Sequence, residues 1–232
     1  MKLRWQRALV KLSGELIGGR GGPLDAGGLR FCAREVGAAR NAGAEIALVT
    51  GGGNVARGSA LPHLPPTAGH TIGMLGTLIN GLALREALTE EGIPSLVMSA
   101  LPCPGVAEAV DPWRARAALE DGQVVLFVAG TGNPFVTTDT AAVIRALAVG
   151  AEAVLKGSKV DGIYATDPET DPAAQPLLRL AHREYLTRGL RVMDGAAVAI
   201  AADHGLPIVV YRADREGALV AALGGEIGSL IA

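Results

Sequence analysis

Four short blocks of this chain carry side chains suited to handling a phosphoryl group, and each follows an apolar run. The first is Lys11-Leu12-Ser13-Gly14-Glu15. Its lysine can neutralise a transferring phosphoryl group as a point charge, and Gly14 lets the backbone approach a phosphate closely. Taken singly, a lysine at a strand end also fits a solvated edge. The second block is Gly51-Gly52-Gly53-Asn54, with Arg57-Gly58 just beyond. Three consecutive glycines cost more backbone entropy than an ordinary turn requires, and a close-approach anion site accounts for them. No complete G-x-G-x-x-G or Walker pattern follows a strand, so a phosphate would be held some other way.

The third block runs Thr131-Gly132-Asn133-Pro134-Phe135-Val136-Thr137-Thr138-Asp139-Thr140 into a helix. Its hydroxyls, amide and backbone donors can cap that helix while pointing at an anion, and Asp139 can orient a catalytic lysine or sit near a metal-bound nucleotide. The fourth holds Lys156, Ser158, Lys159, Asp161, Tyr164 and Asp167 within a dozen residues. Tyr164 offers a face for a purine and Asp167 an acceptor for a ribose or a base edge. A charged, solvated hairpin accounts for this block almost as well.

Elements that could position such loops are legible around them. Apolar runs at 8–12, 45–50, 124–128, 153–155 and 207–211 read as strands buried on both faces. Between them, three-to-four spacing at Leu29, Cys32, Val36 and Ala39 after Asp25, at Leu75, Leu78, Leu82 and Leu88, and at Ala141, Ile144 and Leu147 reads as helix. Their alternation predicts an α/β fold with a largely parallel sheet covered by helices on both faces. Residues 18–28 and 62–66 read as surface loops. One domain over 1–232 is expected, with a soft boundary near Gly150 dividing lobes 1–150 and 151–232.

Composition narrows the function classes. Among 232 residues, 49% are hydrophobic and 19% charged, which excludes a disordered chain. A formal net charge of -2 leaves no electrostatic footprint for nucleic acid or an anionic membrane. Residues 67–84 carry no charge, but His70, Asn80 and several Thr and Gly make them unsuited to a bilayer core. Cys32 and Cys103 lack metal-ligand spacing, and His63, His70, His182 and His204 show no i, i+4 pair for zinc, so no protein-held metal is expected. With no signal-peptide pattern behind Lys2, Arg4 and Arg7, the expectation is a cytoplasmic protein whose His63, His182 and His204 lie at the surface.

In this order the four blocks, with Gly73-Met74-Leu75, Lys159-Val160-Asp161-Gly162-Ile163-Tyr164, Met193-Asp194 and Pro207-Ile208-Val209-Val210, resemble the bacterial UMP kinase (uridylate kinase) family of the amino acid kinase superfamily. The run Ala129-Gly130-Thr131-Gly132-Asn133-Pro134-Phe135 is nearly verbatim for that family. The resemblance implies a three-layer sandwich and transfer of the ATP γ-phosphoryl to UMP, with Mg²⁺ bound through ATP. It implies that Lys11, Ser13 and Gly14 contact the ATP phosphates with Gly53 and Arg57 beside them, and that Ser158, Tyr164 and Asp167 hold the adenosine. Gly52, Thr131, Gly132, Asn133, Pro134, Phe135, Thr137 and Thr138 would line the UMP pocket. Lys11 and Asp139 would be catalytic, Asp139 by organising lysines, with Asp194 near the transferred group. A homohexamer, and GTP or UTP as effectors, are implied in the same way.

The match fails at two places. Alignment on Gly73-Met74-Leu75 puts His70 where the family carries an aspartate for the UMP ribose, and residues 18–28 depart from the loop linked to GTP activation in some members. His70 keeps a second reading open, a non-catalytic paralogue that binds an oxyanion as molybdenum storage proteins do. A superfamily kinase acting on a carboxylate or amino acid is a third, which the 131–135 segment disfavours.

Overall fold

The computed structural model describes residues 2–19, 22–166, 170–171 and 173–232. Asp167 of the fourth block lies outside them. Among the described residues the strands are β1 (Arg7–Leu12), β2 (Glu45–Thr50), β3 (Ser95–Ser99), β4 (Glu108–Ala109), β5 (Val124–Val128), β6 (Ala153–Ser158), β7 (Arg179–Leu180), β8 (Ile208–Arg212) and β9 (Ser229–Ile231). They form one sheet in the order β4-β3-β5-β2-β1-β6-β8-β9-β7. All pairs are parallel except β8 with β9.

The helices are α1 (Gly14–Ile17), α2 (Ala26–Asn41), α3 (Pro66–Glu90), α4 (Pro112–Glu120), α5 (Thr138–Val149), α6 (His182–Thr187), α7 (Gly195–Asp203) and α8 (Ala218–Gly224). Side-chain caps set several starts, because the first amides of a helix lack intrahelical partners. Asp25 accepts from the Gly28 amide at the head of α2, and Thr137 accepts from the Asp139 and Thr140 amides at the head of α5. Two apolar cores result. α2, α3 and α8 cover one face of the sheet with Cys32, Val36, Leu84, Leu88 and Leu219. α4, α5, α6 and α7 cover the other with Leu119, Val143, Tyr185 and Val198.

Three expectations change. Pro66 opens α3 rather than closing a loop, since a proline in the first helical turn forfeits no hydrogen bond. The segment read as a loop over 18–28 gives way to α2 at Ala26. His182 is buried, 8% exposed, with Nε2 3.0 Å from the Leu206 carbonyl, because it starts α6 facing the loop before β8. His63 and His204 are exposed. Among the described residues no helix is long and apolar enough to cross a membrane.

The sheet also explains why one place in it can collect ligands. Strands of the first 150 residues lie on one side of the β1–β6 pairing and strands of the rest on the other, so the order reverses direction there. Crevices at the carboxyl ends of parallel strands open at such points.

Candidate active site

Side chains along a strand alternate between the two faces of its sheet. In β1, Ala8, Val10 and Leu12 enter one core and Leu9 the other, so Lys11 lies on the face of Leu9. In β6, Leu155 and Val154 divide the same way, which puts Lys156 on the face of Val154, again the α5 side. Parallel register pairs Lys11 with Lys156. The first turn of α5 then brings Asp139 to both.

Lys11 Nζ is 3.1 Å from Asp139 Oδ1. Lys156 Nζ donates to Asp139 Oδ2 and to the Val192 carbonyl. Side-chain exposures of 13% for Lys11, 12% for Lys156 and 10% for Asp139 leave little water to screen these charges. Burial alone would raise the Asp139 pKa, but the charges and hydrogen bonds of Lys11 and Lys156 outweigh it and hold the carboxyl below its ordinary value. For Lys156 burial is the largest influence, joined by the charge of Lys11; together they overcome the pull of Asp139 and lower its pKa. One carboxylate thus serves two ammonium groups, which leaves the centre short of negative charge.

Asp194 supports this centre from the head of α7. Its Oδ2 accepts from Thr137 Oγ1 and Thr140 Oγ1, both at 2.8 Å, and its amide donates to Asp139 Oδ2 at 3.2 Å. These bonds fix the entry of α5, and so the placement of Asp139.

Two cavities are lined by residues near Lys11, Asp139 and Lys156 in the chain, though not by these three themselves. The first, of about 740 Å³, is lined by Gly52, Gly53, Arg57, His70, Thr137 and Thr138 among others. The second, of about 550 Å³, is lined by Ser13, Glu15, Ser158, Lys159, Tyr164 and Arg212 among others. Asp139 follows Thr138 of the first cavity by one residue, and Lys11 precedes Ser13 of the second by two.

The expected site residues fall around this arrangement with some redistribution. Ser13 caps α1 by accepting from the Glu15 amide, and Ser158 and Tyr164 share its cavity. Gly53 and Arg57, expected beside the phosphates of ATP, line the first cavity, and Arg57 reaches across to Glu15 of the second. Gly14 packs its backbone against the Gly51 carbonyl, leaving a Cβ there only 2.9 Å from that oxygen. Thr131, Gly132, Asn133 and Pro134 form the turn leading to the first cavity but are not among its lining residues. Phe135 does not line it either, but its ring meets that of His70, a lining residue, with centroids 4.9 Å apart. Two non-glycine residues of this loop take positive φ, Ala129 at 60° and Phe135 at 66°. Such backbone persists only where surroundings enforce it, and it concentrates at functional sites.

Lys156, Asn54 and Asn80 stand in the sequence stretches described above but have no place in the expected site. Lys156 was legible as a second lysine closing an apolar strand beside Lys11. Asn54 and Asn80 exchange side-chain amide bonds at 2.9 and 2.7 Å, and Asn80 Nδ2 also donates to the Gly51 carbonyl. The glycine loop is thereby pinned to α3. Gly52 shows how tightly: a Cβ there would stand 2.5 Å from the Gly73 carbonyl and 2.9 Å from the Thr77 amide, both backbone of α3. Gly52→Ala is therefore expected to cost about 1–3 kcal/mol in a thermal or urea melt, the range for forced overpacking. An unchanged melt would mean that the loop is not fixed by this contact.

Known proteins resemble this chain over nearly its full length. The model of the amino acid kinase family matches residues 6–212. A uridylate kinase of Saccharophagus degradans is 45% identical over 232 residues, covering 98% of this chain and 94% of its own. One of Marinobacter nauticus is 46% identical over 226 residues, covering 96% and 93%. The crystal structure of a UMP kinase from Bacillus anthracis superposes with a TM-score of 0.94 at 34% identity, covering 98% of this chain and 96% of that one.

Proposed function

Since the chain belongs to the amino acid kinase family and its near-full-length relatives bear the name uridylate kinase, we infer that it is a UMP kinase. It moves the γ-phosphoryl group of ATP to the phosphate of UMP, giving UDP and ADP. The observation that carries this reading is the Lys11–Asp139–Lys156 centre, whose near neighbours in the chain, Thr138 and Ser13, line one cavity each. Direct transfer needs two anionic substrates aligned across a point of fixed positive charge, and no protein nucleophile.

In this reading the first cavity takes UMP and the second takes ATP, so lobe 1–150 supplies most of the acceptor side and lobe 151–232 most of the adenosine side. A phosphate oxygen of UMP attacks the γ-phosphorus in line. The bond from that phosphorus to the β–γ bridging oxygen breaks, and its electron pair leaves with ADP. Lys11 and Lys156 neutralise charge on the equatorial oxygens as it spreads. Asp139 acts through the lysines by holding both in place, and Asp194 acts through Asp139 and the two threonines. Ser13, Gly14, Gly53 and Arg57 bind phosphates, and Ser158 and Tyr164 hold the adenosine. Gly52, His70, Thr137, Thr138 and the 131–135 turn receive UMP.

Mg²⁺ belongs to this reading as part of Mg-ATP. It would be held by phosphate oxygens and water, since both Asp194 oxygens accept hydrogen bonds from Thr137, Thr140 and the Ala196 amide and Asp139 is taken up by two lysines. When bound, it would neutralise the β- and γ-oxygens. A homohexamer also belongs to the reading, for which the half-exposed Leu75 and Ile79 on α3 supply an apolar face. GTP and UTP as effectors, and a cytoplasmic location beside the nucleotide pools, complete it. A non-catalytic oxyanion store would have no use for a buried carboxylate arranging two lysines.

An ADP-release assay with Mg-ATP and UMP, CMP, AMP, GMP or dUMP tests the reading. Turnover is expected with UMP above all others. No turnover with any acceptor, from folded protein that binds ATP, would overturn it. The same assay measures His70. A carboxylate can accept two ribose hydroxyl bonds where an imidazole accepts at most one, so His70→Asp is expected to lower the KM for UMP about tenfold with little change in kcat. An equal or higher KM would remove His70 from the sugar contact.

A further inference from the structure

Glu15 stands in the first turn of α1, directly after Ser13 and Gly14, and both of its carboxylate oxygens hold a cation. Oε1 is 2.5 Å from Nη2 of Arg57, and Oε2 is 2.6 Å from Nζ of Lys159. The two cations come from different loops. Arg57 belongs to the glycine loop after β2 and lines the first cavity, whereas Lys159 follows β6 and lines the second. The hydrogen bond from Lys159, with smaller help from Arg57, holds the Glu15 pKa below its ordinary value against a modest effect of burial. Glu15 is therefore an anion whenever the enzyme works.

Fold stability does not account for this bridge. The three side chains are 39%, 57% and 69% exposed for Glu15, Arg57 and Lys159, and ion pairs so open to water stabilise a fold very little. Its position is more informative, since the bridge ties Arg57, a lining residue of the first cavity, to Glu15 and Lys159 of the second. We propose that Glu15 is an internal stand-in for polyphosphate: in the empty enzyme its carboxylate holds Arg57 and Lys159, and the phosphates of the incoming nucleotide displace it and take both cations. The proposal rests on the kinase reading above and adds to it a residue that weakens phosphate binding and a cation, Lys159, that receives phosphate.

The physical consequence is competition. A carboxylate that must be displaced raises the dissociation constant of every polyphosphate, and salt screens this competition because the groups are exposed. Calorimetric titration of full-length protein with inorganic tripolyphosphate is the test. Glu15→Gln keeps the shape and removes the charge, so it is expected to bind tripolyphosphate about five- to tenfold more tightly at low salt, from the loss of two exposed ion pairs. The gap should close toward 0.5 M salt, on the order of a few ångströms of screening length. Lys159→Gln should bind it more weakly than wild type. If Glu15→Gln fails to fold by circular dichroism, Glu15→Ala removes the same charge and carries the same expectation. Unchanged or weaker binding in the folded Glu15 variant would overturn the proposal and make Glu15 a positioning group or an inert one. UMP turnover of the same wild-type preparation separates the two ideas. Turnover without tighter binding by the variant sinks the stand-in alone, and wild-type protein that neither binds tripolyphosphate nor turns over sinks both.

Discussion

Lys11→Ala is expected to lower kcat for UDP formation by about a thousandfold while the protein stays folded, with a melting midpoint within a few degrees of wild type. The rate estimate follows from other sites in which one preorganised charge or donor to a phosphoryl or oxyanion transition state is removed. Retained stability follows from the local arrangement. Asp139 Oδ1 loses its ion pair, but Oδ2 keeps its bonds from Lys156 and the Asp194 amide, so the carboxylate stays paired, and Lys156 is relieved of the like charge that helps depress its pKa. Single-turnover kinetics and a thermal melt on one preparation measure both halves. Turnover within a few-fold of wild type would remove Lys11 from the chemistry, and the mechanism with it.

Asp139→Asn should behave in the opposite way toward stability. It removes the one carboxylate between two withdrawn ammonium groups, so activity should fall at least as far, and the fold should lose about 3 kcal/mol, as when one partner of a buried pair is deleted. The pH dependence identifies the cause. The native Asp139 pKa lies below that of the unfolded chain, roughly 3.9, so its stabilisation is complete above that value and is lost as pH falls through the lowered native one. Urea unfolding at pH 7 should therefore show the full gap between wild type and variant, and unfolding near pH 3 a smaller one. A gap that does not narrow in acid would mean that the charge of Asp139 is not what stabilises the fold.

The long Val-, Leu- and Ile-rich runs were legible because strands buried on both faces need no polar alternation. The runs at 45–50 and 124–128 coincide with β2 and β5, that at 8–12 lacks only the first residue of β1, and that at 207–211 is shifted by one residue against β8. β6 was read too short because Lys156-Gly157-Ser158 looks like a loop, and only pairing with β1 and β8 keeps it extended. That truncation hid Lys156 from the candidate centre. β3 was missed because serines flank its three apolar residues, and β4 and β7 are two-residue pairings with no pattern of their own. The head of α5 was legible from its threonines. The reach of Arg57 and Lys159 to Glu15 was not, because 42 and 144 residues separate them in the chain and only the folded loops bring them together.

The pairing of Lys11 with Lys156 on adjacent central strands also bears on how such an enzyme could change its substrates. The two lysines cannot shift without disturbing two cores, since neighbouring residues of both strands are packed on both faces. Arg57, His70, Phe135 and Lys159 are exposed and belong to neither core, so replacing them leaves both cores packed. Mutation can therefore explore acceptor preference and nucleotide affinity at the loops while the reactive charges remain where folding set them. Directed evolution toward a different monophosphate should accumulate its changes there and leave β1, β6 and the head of α5 untouched.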